Sequence, residues 1–241
     1  MILQAALNGA RRREEHAAVP LTPAAIVADA VAAVRAGANE VHVHIRDETG
    51  AETLRAEAVD ALLGALRQAL PGTLLGVSTG LWIEGDHART AACIGQWRNR
   101  PDYASLNMGE AGAMAVAAAL HERGIGLELG LFDEADVEAA LAADLTTGAF
   151  RILIEVTEPE PAHALAVAER MLARLRAAGV SKSLLLHGME ATVWPLFDLA
   201  ARHGLSQRLG LEDGLTLPEG TIAGHNAAII AAGRQRNGTQ R

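Results

Sequence analysis

Short strand-like apolar runs and longer stretches with helical spacing alternate along this chain, and the alternation happens eight times. Ile2 to Leu7 reads as a strand that stops at Asn8-Gly9. Thr22-Pro23 then supplies an N-cap and a first-turn proline to a helix carrying Ile26, Val27, Ala30, Val31 and Val34, closed by Gly37. Val41 to Asp47 is the second strand, and Ala56 to Leu70 the second helix, ended by Pro71-Gly72. The remaining strands are 73–79, 102–107, 125–132, 150–156, 182–187 and 207–211. The helices between and after them are 86–97, 111–123, 134–144, 161–178, 190–203 and 221–233. No linker or low-complexity segment interrupts the series. Eight βα units in 241 residues predict one closed (β/α)8 TIM barrel over 1–241, of class α/β, with a polar, frayed tail after Gly233.

Composition narrows the function classes. Half the residues are hydrophobic but only 3% are aromatic, so the core is aliphatic. A formal charge of −8, with Arg11-Arg12-Arg13 as the one basic cluster, argues against nucleic acid or an anionic membrane as partner. Cys93 is the single cysteine, which excludes an intramolecular disulfide and a thiolate metal cluster. Neither a signal peptide nor a membrane span is read, and a cytoplasmic protein is the expectation.

Val41-His42-Val43-His44-Ile45-Arg46-Asp47 is the stretch most able to carry chemistry. Side chains on a strand repeat every two residues, so His42, His44 and Arg46 share a face. Two imidazoles so spaced can hold one divalent metal. Alternatively, both are core histidines with ordinary hydrogen-bond partners.

A TIM barrel builds its active site at the carboxyl ends of its strands. The polar residues there are Asn8, Ser78, Thr79, Ser105, Asn107, Glu128, Glu155, His187, Glu212 and Asp213. Ser78, Thr79, Ser105 and Asn8 also have ordinary uses in turns and caps. On the last strand, alternation puts Arg208, Gly210 and Glu212 on one face. Glu212 can complete a His, His, Glu site whose open position is the catalytic pattern. Asp213 is then free to act as a base. Alternatively, Arg208 forms a salt bridge with Glu212 or Asp213 that closes the barrel. The other histidines fall on loops or helices.

Asn8-Gly9-Ala10, Pro20-Leu21-Thr22-Pro23, Ala36-Gly37-Ala38 and Val41 to Asp47 resemble the β-keto acid cleavage enzymes, which include the 3-keto-5-aminohexanoate cleavage enzyme. Ser78-Thr79-Gly80, Ser105 to Gly109, Arg208 to Gly214 and Gly220 to Asn226 follow in the same order. The resemblance implies a divalent metal, usually Zn2+, on His42, His44 and Glu212. It implies that a β-keto acid reacts with acetyl-CoA to give acetoacetate and a new acyl-CoA. Asp213, held by Arg208, would remove a proton, with Ser78 as a further catalytic group. Asn8, Arg11, Thr79, Ser105, Asn107, Glu128 and His187 would surround the substrate. Relatives are homo-oligomers, and Trp97, Trp194 and Phe197 on outer helices fit a homodimer or homotetramer.

The departures from the family pattern are specific. Arg11 stands where the amine-cleaving relative has an acidic residue, and suits an anionic or neutral substrate. The strand-five glutamate pair reads Glu128 and Gly130. Glu155 to Pro161 replaces a glycine-rich loop, and His187-Gly188-Met189-Glu190 replaces a Gly-x-Gly-Arg region. Those later loops are where CoA would be handled. A CoA-independent C–C lyase or hydrolase, or a non-catalytic metal-binding relative, therefore stays open.

Overall fold

Strand residues in this protein are buried on both faces, the pattern of a parallel sheet covered by helices. In a computed structural model describing residues 1–239, the strands are β1 (Leu3–Ala6), β2 (Glu40–Val43), β3 (Leu74–Ser78), β4 (Tyr103–Asn107), β5 (Gly126–Leu131), β6 (Arg151–Val156), β7 (Leu184–Gly188) and β8 (Ser206–Leu209). All pair in parallel in sequence order, and β8 closes on β1 with Gln4 opposite Arg208. The expected barrel is what forms.

Around it lie α1 (Pro23–Arg35), α2 (Ala56–Ala69), α3 (Leu81–Glu84), α4 (His87–Gln96), α5 (Ala113–Glu122), α6 (Glu134–Ala142), α7 (Leu145–Gly148), α8 (Pro161–Ala177), α9 (Val193–Arg202) and α10 (Asn226–Thr239). Caps fix several starts. Thr22 accepts from the Ala25 amide, and the Asp86 carboxylate accepts from the amides of Ala88 and Arg89.

Several boundaries differ from the sequence reading: β2 ends at Val43 rather than Asp47, and β8 at Leu209 rather than Leu211. The helix expected over 134–144 stops at Ala142, and after Asp144, at a left-handed φ of 52°, a separate short helix covers Leu145–Gly148. Residues 215–223 form a hairpin, with Leu217 N donating to Thr221 O, so the last helix starts at Asn226 rather than Thr221. It runs through 239, past the point where fraying was expected. Arg234 donates to Gly37 O at 2.6 Å, and Arg236 pairs with Asp198 at 2.6 Å, pinning that end to the turn after α1 and to α9.

The barrel interior is layered. At the amino-terminal end Gln4, Glu40, Tyr103, Glu128 and Arg151 pack together, each no more than 1% exposed. Trp97, Trp194 and Phe197 also point inward, at 0%, 8% and 1% exposure. The Trp97 indole donates to Leu54 O at 2.8 Å and the Trp194 indole to Thr216 O at 2.9 Å. These aromatics are core residues of one chain, so they lend no support to an oligomer. Among the described residues, no helix is long and apolar enough to cross a membrane.

Candidate metal centre and active-site cavity

The carboxyl ends of the strands surround a cavity of about 400 Å3. His42, His44, Ser78, Ser105, Asn107, Arg208 and Glu212 line it, with Arg11 on its wall. The structure thus brings together residues drawn from five strands and the turns that follow them.

His42 sits on β2, and His44 follows one residue after the strand ends. Asn8 fixes His44: its side-chain oxygen accepts from His44 N at 2.9 Å and its amide donates to His44 O at 3.0 Å. Its remaining amide bond goes to Pro20 O at 3.1 Å, and the side chain is fully buried. Asn8 was expected beside the substrate; it is instead committed to holding a histidine. Glu212 belongs to no strand. β8 ends at Leu209, and residues 210–213 turn, with Asp213 N donating to Gly210 O at 3.0 Å. Gly210 allows the turn because a Cβ there would collide with the Ala6 carbonyl.

Glu212 Oε1 lies 3.2 Å from His44 Nε2 and 3.8 Å from His42 Nε2. One donor atom from each residue falls within a group no wider than 4.8 Å. Glu212 Oε2 and His42 Nδ1 are buried without a hydrogen-bond partner. Behind the triad, His44 Nδ1 meets Glu52 Oε1 at 2.6 Å, and the Trp82 indole donates to the other Glu52 oxygen at 3.1 Å. A carboxylate on the far nitrogen orients a metal-binding imidazole. Burial opposes a charge on His44, yet Glu212 and Glu52 outweigh it and raise its pKa to about 9. Burial holds His42 well below the ordinary histidine range, and at His44 a divalent cation would take the place of the proton that this negative field holds. Two imidazoles, a carboxylate and a negative field fit a divalent cation.

Gly9 makes room for this arrangement. It has a φ of +52°, and a Cβ there would lie 2.5 Å from Glu212 Cγ. Gly9→Ala is expected to lower metal affinity about 10–100-fold, the scale of losing a supporting contact. The left-handed backbone adds a stability cost of about 1–2 kcal/mol. Metal titration alongside thermal unfolding checks both, and unchanged affinity would remove Gly9 from the site.

Arg208 carries both pairings that the sequence left open. Its Nε and Nη2 donate to Asp213 at 3.1 and 2.7 Å, while Nη2 also donates to Glu212 Oε1 at 2.6 Å. Salt bridge and triad therefore coexist. Burial would raise Glu212, but Arg208 and the histidines pull it well below the carboxylate range. Burial pushes Asp213 up against the pull of Arg208 and His187. Asp213 is fully buried and forms no part of the cavity wall.

Other candidates lie elsewhere than expected. Glu128 was placed at the mouth, but it sits in the amino-terminal layer against Arg151 Nε at 2.9 Å. Thr79 donates its hydroxyl to Ser105 O at 2.6 Å, a brace between β3 and β4. His187 is buried behind the wall, 3.2 Å from Glu155 Oε2. Arg11 reaches the cavity but is engaged by Glu15 at 3.1 Å and by Glu190. Sequence reasoning missed Glu52, which the Asp47–Gly50 turn folds back beside Arg46. It also missed Trp82, stacked 6.1 Å from the His44 ring, and the wall residues Phe132 and Met189.

A parallel barrel with a buried His, His, Glu cluster opening on a polar cavity defines a (β/α)8 enzyme scaffold with a candidate metal centre. The chain belongs to the β-keto acid cleavage enzyme family, whose model matches residues 1–236. It is 28% identical over 256 aligned positions to the 3-oxoadipate:acetyl-CoA acetyltransferase of Cupriavidus necator, covering 95% of this chain and 86% of that one. The 3-keto-5-aminohexanoate cleavage enzyme of Fusobacterium nucleatum is 36% identical over 81 residues, which are 33% of this chain and 30% of that enzyme. Among solved structures, the ternary complex of ObcA with a C4-CoA adduct and oxalate superposes with a TM-score of 0.76 at 19% identity. That match covers 92% of this chain but 64% of ObcA, so this chain spans less than two thirds of its length, and the likeness is one of fold.

Proposed function

We propose that this protein cleaves a β-keto acid by reaction with acetyl-CoA, giving acetoacetate and a new acyl-CoA, with a divalent cation on His42, His44 and Glu212. The observation that carries the reading is the triad opening on the cavity in a chain of this family. Zinc suits two nitrogens and one carboxylate oxygen. Such a cation, when bound, acts as a Lewis acid that polarises the keto oxygen.

The chain's own groups do the rest. Arg208 stays protonated, because Asp213 and Glu212 outweigh its burial. Part of its surface lines the cavity, where a guanidinium stabilises the negative charge of an enolate. Asp213 anchors that guanidinium. Ser78, Ser105 and Asn107 offer hydroxyl and amide groups to the substrate's carboxylate and carbonyl oxygens. Asn107 is held for this by Glu110, which accepts from its amide at 2.7 Å. Arg11 meets the far end of the substrate and favours an anionic or neutral group there over an ammonium.

The test is to incubate purified zinc-loaded protein with a panel of β-keto acids, with and without acetyl-CoA. Acetoacetate and the new acyl-CoA are then identified by mass spectrometry. Formation of both, only with acetyl-CoA, is expected. Consumption without acetyl-CoA would instead make the protein a lyase or hydrolase, and no turnover across the panel would make it a binding protein.

A further inference from the structure

We propose that the floor of the barrel carries an anion site, separate from the metal centre, in which Arg98 and Arg100, with Arg67 and Arg123 beside them, take a phosphate group bearing two or more negative charges. The site is independent of the β-keto acid reading.

The chain is acidic, with a formal charge of −8, yet four arginines gather at one place. A second cavity, of about 390 Å3, lies beside residues 98–102, which lead into β4. Arg67, Arg98, Asn99, Arg100 and Asp102 line it. Its volume falls in the range of small-ligand sites, about 300–1,000 Å3. Asp102 precedes the first residue of β4, so the cavity belongs to the amino-terminal end of the barrel. The metal centre lies at the carboxyl ends of the strands, and an anion at the floor does not compete with a substrate there.

Local structure fixes the guanidiniums. Arg67, in the last turn of α2, pairs through Nη1 with Asp102 at 2.8 Å, and its Nη2 donates to Arg100 O at 3.4 Å. Asp60, on the same helix, accepts from the amides of Arg98 at 2.8 Å and Asn99 at 2.9 Å. Asn99 Nδ2 donates in turn to Asp60 O at 2.7 Å, which clamps the loop to α2. Arg100 Nη1 donates to Arg123 O at 2.5 Å, and Arg123 Nη2 to Trp97 O at 2.5 Å.

These bonds orient the arginines without neutralising them, because a carbonyl carries no net charge. Among the described residues, Arg67 with Asp102 is the one ion pair in the group. The Arg98 side chain has neither a hydrogen bond nor an ion pair, and Arg123 Nε is buried without an acceptor. Guanidiniums held together without a counter-charge repel one another. A bound dianion removes that repulsion and takes up donors that the chain leaves unused. The planar fork of arginine fits a phosphate through two parallel hydrogen bonds. The cavity wall has no aromatic ring, and Pro101 is its one apolar side chain, so it offers nothing to a nucleobase or an acyl chain. The ligand is therefore the phosphate group itself, free or as the ester of a small polar molecule.

Calorimetric titration of the purified, zinc-loaded protein tests this, with inorganic pyrophosphate, inorganic phosphate and glycerol 3-phosphate as probes and chloride as the control anion. One pyrophosphate per chain is expected, bound more weakly as salt rises. Arg98→Ser should weaken binding about tenfold or more, the scale of a lost hydrogen bond to a charged group. Its Tm without ligand and its kcat should match wild type, because the Arg98 side chain bonds to nothing else in the chain. Arg98→Lys keeps the charge but not the fork, and should recover part of the loss. Arg100→Ser should weaken binding as well, and His44→Ala should bind pyrophosphate as wild type does. Tighter binding of phosphate than of glycerol 3-phosphate would mark a free anion as the ligand, and the reverse an esterified one; either result supports the site. Affinity no better than that of chloride would show an adventitious ion only. Binding unchanged in both arginine variants, or lost in His44→Ala, would put the anion elsewhere. Each of these last results overturns the proposal.

Discussion

His44→Ala is expected to abolish both metal retention and turnover while the barrel stays folded. His44 is the centre of the cluster: Nε2 faces Glu212 at 3.2 Å and Nδ1 faces Glu52 at 2.6 Å. Removing it leaves a two-ligand site and takes from Glu52 one of its two partners. Loss of an outer partner alone costs about 10–100-fold in affinity, so Glu52→Gln sets the lower bound and His44→Ala should exceed it. The fold should tolerate the change. His44 lies past the end of β2, outside the aliphatic shell, and both orphaned glutamates keep other donors, Arg208 and the Trp82 indole. A Tm within a few degrees of wild type is expected. Elemental analysis and circular dichroism on the same sample decide the matter. Full metal content in His44→Ala would remove the triad as the metal site, and unfolding would show that His44 is structural.

The sequence carries the barrel plainly because a period of two and a period of 3.6 are properties of neighbouring residues, and eight repeats leave one closed arrangement. It carries the histidine pair for the same reason. What it carries poorly is height along the barrel axis. Alternation says which face a residue takes, not which layer. Glu128 and Glu155 both point inward, but Glu128 is the third residue of β5 and Glu155 the fifth of β6, so one faces the floor and the other the mouth. The end of β8 is likewise illegible locally. Nothing in Leu209-Gly210-Leu211-Glu212 stops a strand; the stop comes from the close approach of Gly210 to Ala6, a contact between chain ends. Glu52 reaches His44 by a hairpin after the strand, at a separation in sequence that no strand or helix period marks. The aromatic trio illustrates a different limit. Trp97, Trp194 and Phe197 lie on or at the end of outer helices, but on the faces that meet the barrel, and only packing shows that.

Arg151→Met is expected to cost more stability than any change at the mouth. Arg151 is 1% exposed at the barrel floor, and its Nη2 donates to Glu40 at 2.6 Å and to Glu128 at 2.5 Å. Gln4 donates to the same two carboxylate oxygens at 2.9 and 3.0 Å, and the guanidinium lies over the Tyr103 ring at 4.9 Å. The second oxygens of Glu40 and Glu128 are already buried without partners. Methionine fills the volume but removes the only positive charge in the cluster. Breaking a buried ion pair costs about 3–5 kcal/mol, because the remaining charge has no compensation. A domain's net stability is only about 5–15 kcal/mol, so the variant should lose a large share of it. Urea unfolding at pH 7.5 measures the loss. Adding Glu40→Gln and Glu128→Gln to Arg151→Met should narrow the gap from wild type, because no unpaired charge then remains to be buried. A single variant within about 1 kcal/mol of wild type at pH 7.5 would mean that water or a cation already compensates the floor glutamates, and that the arginine does not hold this layer together.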